Sequence, residues 1–458
     1  MKTEFDGQRA YKHIEYLSKT IGARVSGTPQ ERQAADYVKS ELASYGLQTA
    51  ELSFDVDNDM TTAFSLEILD PPLGEIKALP LAGTPDTPPG GLTGELVFAE
   101  SLHAPYIGPH VEGKIVVLVN EGMLGRELQP LLKHKPLALI HVGHTMSLEP
   151  NTFHVIMKET NHPYQLVPTL HITYESAVRL WNACARIAGA TKARLTLQTE
   201  RSKSQSYAVY GELKGSLFPD EIVVIGGHMD SVPRDPGATD NAAGTATMLE
   251  LARVFAQRGS YRTLRFAAWG SEEGGLVGSF KYALELKRKH LEEKQSADYI
   301  EGYSKTELEK HLLNINLDVL GMSLGHNEYH VMGPQGLKDY VHALTCEMGV
   351  LHRGAEGLYG SDHLSFANVG VPGVSFQREG VGTHYMHTAG DSIELIDPGQ
   401  LGLVGGVVEA LIARTAAQGY GWPFERSLPE LTPELKKQFI RRLKYAVKYL
   451  GYSEDLLK

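Results

Sequence analysis

The sequence predicts an α/β fold, a three-layer sandwich around a mostly parallel central sheet. From residue 206 to about residue 420, apolar strands alternate several times with helical segments. The run 222–226 (IVVIG) is apolar at every position, as is typical of a strand with helices on both faces. The Ala- and Leu-rich segment 242–256 follows it, and the next strand is predicted at 264–269. In sheets of this kind the active site lies at the carboxyl ends of the strands.

Composition and charge exclude several classes of protein. The chain has 458 residues, of which 42% are hydrophobic and 22% charged, values typical of a folded globular chain. The formal net charge of −11 does not favour nucleic acid as a partner. No run of about 20 apolar residues predicts a membrane span, so we expect no membrane partner. The first residues lack the apolar core of a signal peptide, and we therefore expect a cytoplasmic protein.

Changes in composition and in the spacing of apolar residues divide the chain into three predicted parts. Residues 1–70 and 203–425 are expected to form one discontinuous catalytic domain, which begins with two helices. Residues 71–202, rich in prolines and short apolar runs, predict a small β-rich inserted domain. Residues 426–458 predict a helical extension with one apolar stripe, formed by Leu435, Phe439, Leu443, Val447 and Leu450. We expect this helix to dock on its own domain, and a contact in a homo-oligomer is the alternative.

Metal-binding side chains occur in five segments, most of them directly after a predicted strand. These side chains are His228, Asp240, the pair Glu272 and Glu273, Asp318, and His387. Any one of them alone has a structural interpretation, such as a helix cap or an acidic pair at a helix start. Their joint position at strand ends favours a metal site, and imidazole with carboxylate ligands is typical of zinc or a related divalent ion.

The number of candidate ligands favours two metal ions. Five ligands are too many for one tetrahedral ion with an open position, but they suit two ions that share one carboxylate. One glutamate of the 272–273 pair then remains free to act as a general base. Asp230, two residues after His228, is placed to accept the second ring N–H of that histidine.

The segments around these residues resemble those of the co-catalytic di-zinc aminopeptidases, family twenty-eight of the metallopeptidases. The matching segments are 227–231 (GHMDS), 237–244 (GATDNAAG), 266–279 (FAAWGSEEGGLVGS), 316–318 (NLD) and 385–391 (YMHTAGD). The resemblance covers the amino-terminal helices and nearly all of residues 205–415. It implies the zinc exopeptidase fold, two Zn²⁺ ions per chain (other divalent metals being possible), peptide substrates and aminopeptidase activity. Residues 71–202 are similar to the protease-associated (PA) domain that many members carry as an insertion.

The resemblance also implies individual roles. It assigns His228 and Asp318 to one zinc, Glu273 and His387 to the other, and Asp240 to both. It makes Glu272 the general base, which works with a metal-bridged hydroxide and passes a proton to the leaving amine. The family often has a cis peptide bond after the bridging aspartate, which is expected here at Asp240–Asn241.

Substrate-binding residues are less clearly indicated. Many family members have a tyrosine directly before the last histidine ligand, where this chain has Met386. Tyr385 and His384, just upstream, are therefore candidates for contacting substrate. His363 lies in a segment, 360–366, that resembles one lining the family's site. Arg378 is the basic residue close enough in sequence to bind a substrate carboxylate.

Alternative functions remain open from the sequence. A carboxypeptidase or dipeptidase could use the same scaffold, but relatives in the neighbouring family twenty carry their extra domain after the glutamate pair, whereas here it precedes His228. A non-catalytic binding protein on this fold would have lost ligands, and a single-zinc cyclase would lack the intact dinuclear set.

The histidines of the insertion, among them His134, His141 and His144, are expected to bind no metal.

Overall fold

The computed structural model describes residues 4–81, 84–103, 106–119, 128–142, 167–184, 191–355 and 360–457. His144 lies outside these residues. The strands are β1 (Gln48–Asp70), β2 (Gly74–Ile76), β3 (Ala78–Pro80), β4 (Leu92–Ala99), β5 (Ile115–Val119), β6 (Ala138–Val142), β7 (Thr169–Ile172), β8 (Lys192–Leu213), β9 (Phe218–His228), β10 (Arg262–Trp269), β11 (His311–Leu317), β12 (His326–Met332), β13 (His352–Gly354) and β14 (Gly373–Glu379). The helices are α1 (Gly7–Glu15), α2 (Pro29–Ser44), α3 (Gln129–Leu132), α4 (Tyr174–Cys184), α5 (Ala243–Arg258), α6 (Val277–Lys294), α7 (Glu307–Lys310), α8 (Gln335–Glu347), α9 (His363–Ala367), α10 (Pro398–Ile412) and α11 (Pro433–Tyr449).

The catalytic part of the sheet has the order β13-β12-β14-β11-β9-β10-β8. Its four central strands, β14, β11, β9 and β10, are parallel. The strands β12 and β8 flank them in the antiparallel direction. The predicted α/β class with a mostly parallel sheet is therefore confirmed. Because parallel strands end at the same edge, the residues that follow β9, β10, β11 and β14 are brought together there.

Helices cover both faces of this sheet. Val223 and Ile225 of β9 pack in a core with residues of α1, α2, α5, α8 and α10. Ile222 and Val224, which alternate with them, pack on the opposite face with residues of α6 and α9. The continuous apolar run of β9 thus serves two cores, as its sequence indicated. Helices, sheet and helices form the three predicted layers.

Local sequence determines where two peripheral helices begin. The hydroxyl of Thr28 accepts the N–H of Glu31, and Pro29 occupies the first position of α2. Thr432 and Pro433 begin α11 in the same way. Proline costs nothing at a first helical position, where its missing N–H would have had no helical partner, and a hydroxyl cap contributes about 1 kcal/mol.

The inserted segment is joined to the catalytic sheet by a long ribbon. The strands β1 and β8 pair in antiparallel register from Gln48 to Asp70, and β4, β5, β6 and β7 lie parallel to one another beyond it. Two groups of buried apolar residues form the cores of this segment. The ribbon approaches the catalytic domain where the guanidinium carbon of Arg234 lies 4.9 Å from the centre of the Phe64 ring. The boundaries 71–202 and the PA assignment remain predictions.

The carboxyl-terminal helix α11 docks on its own domain. Leu443 and Val447, from the predicted stripe, pack in one cluster with Leu276, Phe280 and Leu364. The extension is therefore in direct contact with the start of α6 and with α9, both of which lie beside loops at the carboxyl edge of the sheet.

One helical segment, Pro398–Ala417, is long and apolar enough to cross a membrane by length and composition. Its side chains Val404, Val407, Val408 and Leu411 are buried in the core formed with α1 and α5. This packing is that of a core helix.

Candidate metal centre

The five predicted ligands meet at the carboxyl edge of the sheet. His228 ends β9, Glu273 follows β10, and Asp318 follows β11. Asp240 lies just before α5, and His387 follows β14 after a short turn of helix. All five side chains are buried. The parallel strands thus bring together residues that are far apart in the sequence.

The ligand atoms form two groups that share one residue. In the first group, Nε2 of His228 lies 3.1 Å from Oδ1 of Asp240 and 3.3 Å from Oδ1 of Asp318. In the second, Nε2 of His387 lies 3.1 Å from Oδ2 of Asp240 and 3.2 Å from Oε1 of Glu273. Asp240 therefore directs one oxygen to each imidazole.

This arrangement fits zinc. Ligand atoms at about 2.0–2.2 Å from a tetrahedral ion are separated from each other by roughly 3.3–3.6 Å, and the distances above are close to that spacing. In each group the ligand atoms all lie within 4.8 Å of one another. Each group also combines an imidazole with carboxylates, the donor set that the sequence indicated.

Glu272 lies beside these groups but belongs to neither. Its Oε2 is 4.0 Å from Nε2 of His228. Burial raises the pKa of Glu272 well above its usual value; His228 opposes this shift, while Asp362 and Glu273 increase it. A buried carboxyl group with a raised pKa next to the ligands is suited to accept and return a proton.

Asp230 connects the first ligand to the acidic pair. Its carboxylate accepts the backbone N–H groups of Glu272, at 3.0 Å, and of Glu273, at 3.2 Å. Nδ1 of His228 lies 3.4 Å from Oδ1 of Asp230 and 3.2 Å from its carbonyl oxygen. Asp230 thus faces the ring nitrogen that points away from the ligand group, a contact that orients the imidazole.

Asp391 holds the segment that carries the shared ligand. Its carboxylate accepts the N–H and the hydroxyl of Thr239, at 2.9 and 2.7 Å, and the N–H of Asp240, at 3.0 Å. The peptide bond Asp240–Asn241 is cis, as expected. The side chain of Asn241 donates to the carbonyl oxygen of Leu317, at the end of β11. The sequence placed Asp391 in the last motif but indicated no role for it.

Arg24 is a site residue that the sequence did not indicate. Its fully buried guanidinium donates to the carbonyl oxygens of Met229 at 2.7 Å, Pro236 at 2.6 Å and Gly237 at 2.9 Å. It therefore fixes both ends of the loop between the first ligand and the shared ligand. A lone arginine in an amino-terminal loop belongs to no metal-binding pattern, so no sequence signal identified it.

Glu31 is buried next to Gly270, which follows β10 and precedes the acidic pair. Oε1 accepts the hydroxyl of Ser206 at 2.5 Å, and Oε2 accepts the N–H of Gly27 at 2.6 Å. A Cβ on Gly270 would lie 2.4 Å from Oε1 of Glu31, so only glycine fits at this end of β10. Burial raises the pKa of Glu31 to about 8, and the charge of Asp230 adds to the shift. Glu31 is therefore largely protonated at neutral pH.

The predicted substrate-binding residues have different surroundings. His363 is buried at the start of α9, and burial lowers its pKa to about 3. Tyr385 is exposed and His384 partly exposed, next to His387. Arg378 donates to the carbonyl oxygen of Met322 and, at 2.7 Å, to Oδ1 of Asn327 in β12. These contacts hold the turn before β12, and the substrate-binding role of Arg378 remains a prediction.

Taken together, a parallel α/β sheet with two imidazole–carboxylate groups around one aspartate, and a glutamate beside them, defines a metal-dependent hydrolase. Residues 208–412 match peptidase family M28. Aminopeptidase YwaD of Bacillus subtilis is 29% identical over 422 residues, which cover 89% of this chain and 84% of that protein. Residues 208–412 therefore form a domain that matches peptidase family M28, and the chain is a metallopeptidase.

Other relatives and solved structures agree with this placement. Carboxypeptidase Q of Mus musculus is 26% identical over 434 residues, covering 89% of this chain and 86% of that protein. The structure of BSAP, a zinc aminopeptidase from Bacillus subtilis, is 26% identical, covers 93% of this chain and all of its own, and superposes with a TM-score of 0.72. A peptidase M28 precursor from Shewanella amazonensis SB2B, at 22% identity, has the same fold with a TM-score of 0.75.

The raised pKa of Glu31 predicts a pH-dependent contribution to stability. Its folded-state pKa, about 8, lies above the unfolded value of about 4.3, so the native state binds this proton more tightly. The stabilisation is complete below about pH 4.3 and is lost as the pH rises through the folded-state value. We expect Glu31→Gln to gain stability relative to the wild type between pH 5 and pH 9, because the amide does not titrate.

Thermal unfolding of both proteins at several pH values and constant zinc measures this difference. Glu15→Gln, at an exposed position on α1, is the control and should show a constant offset. A Tm difference between Glu31→Gln and wild type that does not change with pH would contradict the assignment.

Proposed function

We propose that this chain is a zinc aminopeptidase that holds two zinc ions and removes amino-terminal residues from peptides. The observation that carries the proposal is the carboxylate of Asp240, which is shared by two ligand groups beside a non-ligating glutamate. The likeness to relatives described as aminopeptidases, over most of both chains, supports the same activity.

The ligands would be divided between the two metal ions. His228, Asp240 and Asp318 would hold one ion, and Asp240, Glu273 and His387 the other. When bound, the ions lower the pKa of a water molecule and polarise the carbonyl of the scissile bond. Three ligand carboxylates do not neutralise two divalent ions, so the occupied site keeps a positive excess that suits an oxygen gaining negative charge.

Glu272 supplies the proton transfers. Its carboxylate takes a proton from the attacking water and gives it to the departing amine. Asp230 holds the backbone of Glu272 and Glu273, so the base and its neighbouring ligand keep a fixed relation.

The arrangement favours an amino terminus as the substrate end. A free α-amine in its neutral form could ligate one metal and donate a hydrogen bond to the carboxylate of Glu272. A carboxypeptidase or dipeptidase remains the second candidate, and the likeness to Carboxypeptidase Q over 89% of this chain supports it. Cytoplasmic location, the absence of nucleic-acid and membrane partners, and a homo-oligomeric state remain predictions from the sequence.

Blocking the substrate amine tests the aminopeptidase activity directly. We expect release of p-nitroaniline from leucine p-nitroanilide and little release from its N-acetylated form, because acetylation removes the group that the acidic site binds. A chelator-treated sample is the control and should regain activity with zinc. Equal rates on blocked and free substrates would contradict aminopeptidase activity.

Replacing the general base should separate catalysis from metal binding. Glu272→Gln is expected to lower kcat by about 10²–10⁴-fold while both metals stay bound, since Glu272 is outside the two ligand groups. Kinetics together with elemental analysis measures the two properties on the same sample. Near-wild-type turnover, or loss of metal, would show that the roles within the acidic pair are wrongly assigned.

Replacing the shared ligand should affect both metals together. Asp240→Ala removes one ligand from each group, whereas Asp318→Ala removes one from the first group only. Elemental analysis should therefore find both ions depleted in Asp240→Ala, and chiefly one in Asp318→Ala. Retention of two ions per chain in Asp240→Ala would disprove the bridge.

A further inference from the structure

The carboxyl-terminal helix places an arginine beside the loop that precedes α9. Leu443 of α11 packs with Leu276 and Leu364, which follow the acidic pair and the start of α9. The preceding residue, Arg442, lies against the loop before α9. A Cβ built on Gly360 would lie 3.1 Å from Nη2 and 3.2 Å from Nη1 of this arginine.

The loop at Gly360 leads to a buried carboxyl group that acts electrostatically on the general base. Asp362, two residues further on, is fully buried, and its charge contributes to the raised pKa of Glu272. The charge of Glu272 in turn acts on Arg442 and favours its ionised form, against the effect of burial. Arg442 therefore lies within electrostatic range of the general base.

The guanidinium of Arg442 has N–H groups that no described carboxylate accepts. Its side chain is half-buried, and within the described ranges no carboxylate forms an ion pair or hydrogen bond with its guanidinium. Taking a cation out of water is costly unless an anion pairs with it. A guanidinium offers a planar pair of N–H donors that matches a carboxylate. Among the described residues, the helix thus presents a guanidinium whose donors are available to a carboxylate.

We propose that Arg442 binds a carboxylate of the substrate. This inference rests on the proposed function, because it requires a peptide whose scissile bond lies at Glu272. The carboxyl groups of Glu272 and Asp362 offer no partner to an acidic substrate group, so such a group needs a cation on this side of the site.

Two parts of a substrate offer this chemistry. The carboxyl terminus of a dipeptide lies one residue beyond the scissile bond, and each further residue moves it by about 3.3–3.6 Å. An acidic side chain on the first residue offers the same group from the other side of the bond. In the first case Arg442 selects short peptides, and in the second it selects acidic amino termini.

Steady-state kinetics on three substrates distinguishes these cases: Leu-Gly, Leu-Gly amide and glutamate p-nitroanilide. In Arg442→Gln we expect KM for the substrate with the recognised carboxylate to rise by about tenfold, with a much smaller change in kcat. The ratio of kcat/KM for Leu-Gly to that for its amide should then fall by about the same factor. Lys444→Gln, an exposed position on the same helix, makes the same charge change and should leave this ratio unaltered.

A binding measurement provides a readout without turnover. In the Glu272→Gln background with zinc bound, calorimetry should show that Arg442→Gln weakens binding of Leu-Gly more than of its amide. Arg442→Lys keeps the charge without the planar fork, so it should give intermediate values. Thermal unfolding confirms that each variant is folded.

The outcomes separate the inference from the proposed function. A loss confined to Leu-Gly assigns the carboxyl terminus, and a loss confined to glutamate p-nitroanilide assigns the side chain. Equal losses on all three substrates, or none on any, would overturn a role for Arg442 in binding carboxylate while leaving aminopeptidase activity intact. Failure of the wild type to cleave any of the unblocked substrates would instead count against the proposed function.

Discussion

The carboxylate of Asp240 is the interaction on which the catalytic centre depends. Its two oxygens lie 3.1 Å from the imidazoles of His228 and His387. Although burial opposes ionisation, these two rings hold the pKa of Asp240 below its usual range. An ionised group at such depth is tolerated only when it is fully paired. The hydrogen bonds from the backbone before it to Asp391 therefore fix both ligand groups at once, because they fix the residue that the groups share.

Three of the ligands, His228, Glu273 and Asp318, could be predicted from the sequence because each lies at or shortly after the end of a recognisable apolar strand. Parallel strands have a common carboxyl edge, so a residue after β9 and one after β11 must be neighbours wherever the loops run. Arg24 obeys no such rule. It acts on the carbonyl oxygen of Met229, 205 residues away, and neither its type nor its position marks a loop partner. Glu31 is similar, because its partner Ser206 comes from a strand whose pairing the sequence does not determine.

Arg378 shows that closeness in sequence does not determine which face of a sheet a side chain occupies. In the register of β14 with β12, Arg378 is opposite Asn327, while Gln377 is opposite Glu328. Successive side chains of a strand point to opposite faces, so a difference of one residue exchanges the two environments. Arg378 consequently bonds to the turn before β12.

The carboxyl-terminal helix illustrates what an amphipathic pattern can and cannot predict. A stripe of apolar residues at helical spacing predicts that α11 is docked, since burying them removes apolar surface from water. It does not identify the surface that receives them. That surface is the start of α6 and α9, and the rotation that buries Leu443 there brings its neighbour Arg442 to the loop at Gly360. The M28 region, residues 208–412, supplies the acidic ligands and the base, whereas the cation beside them comes from an appended helix. If Arg442 binds the substrate as proposed, selection of the substrate rests in part on a segment that lies outside the strand ends carrying the metal ligands.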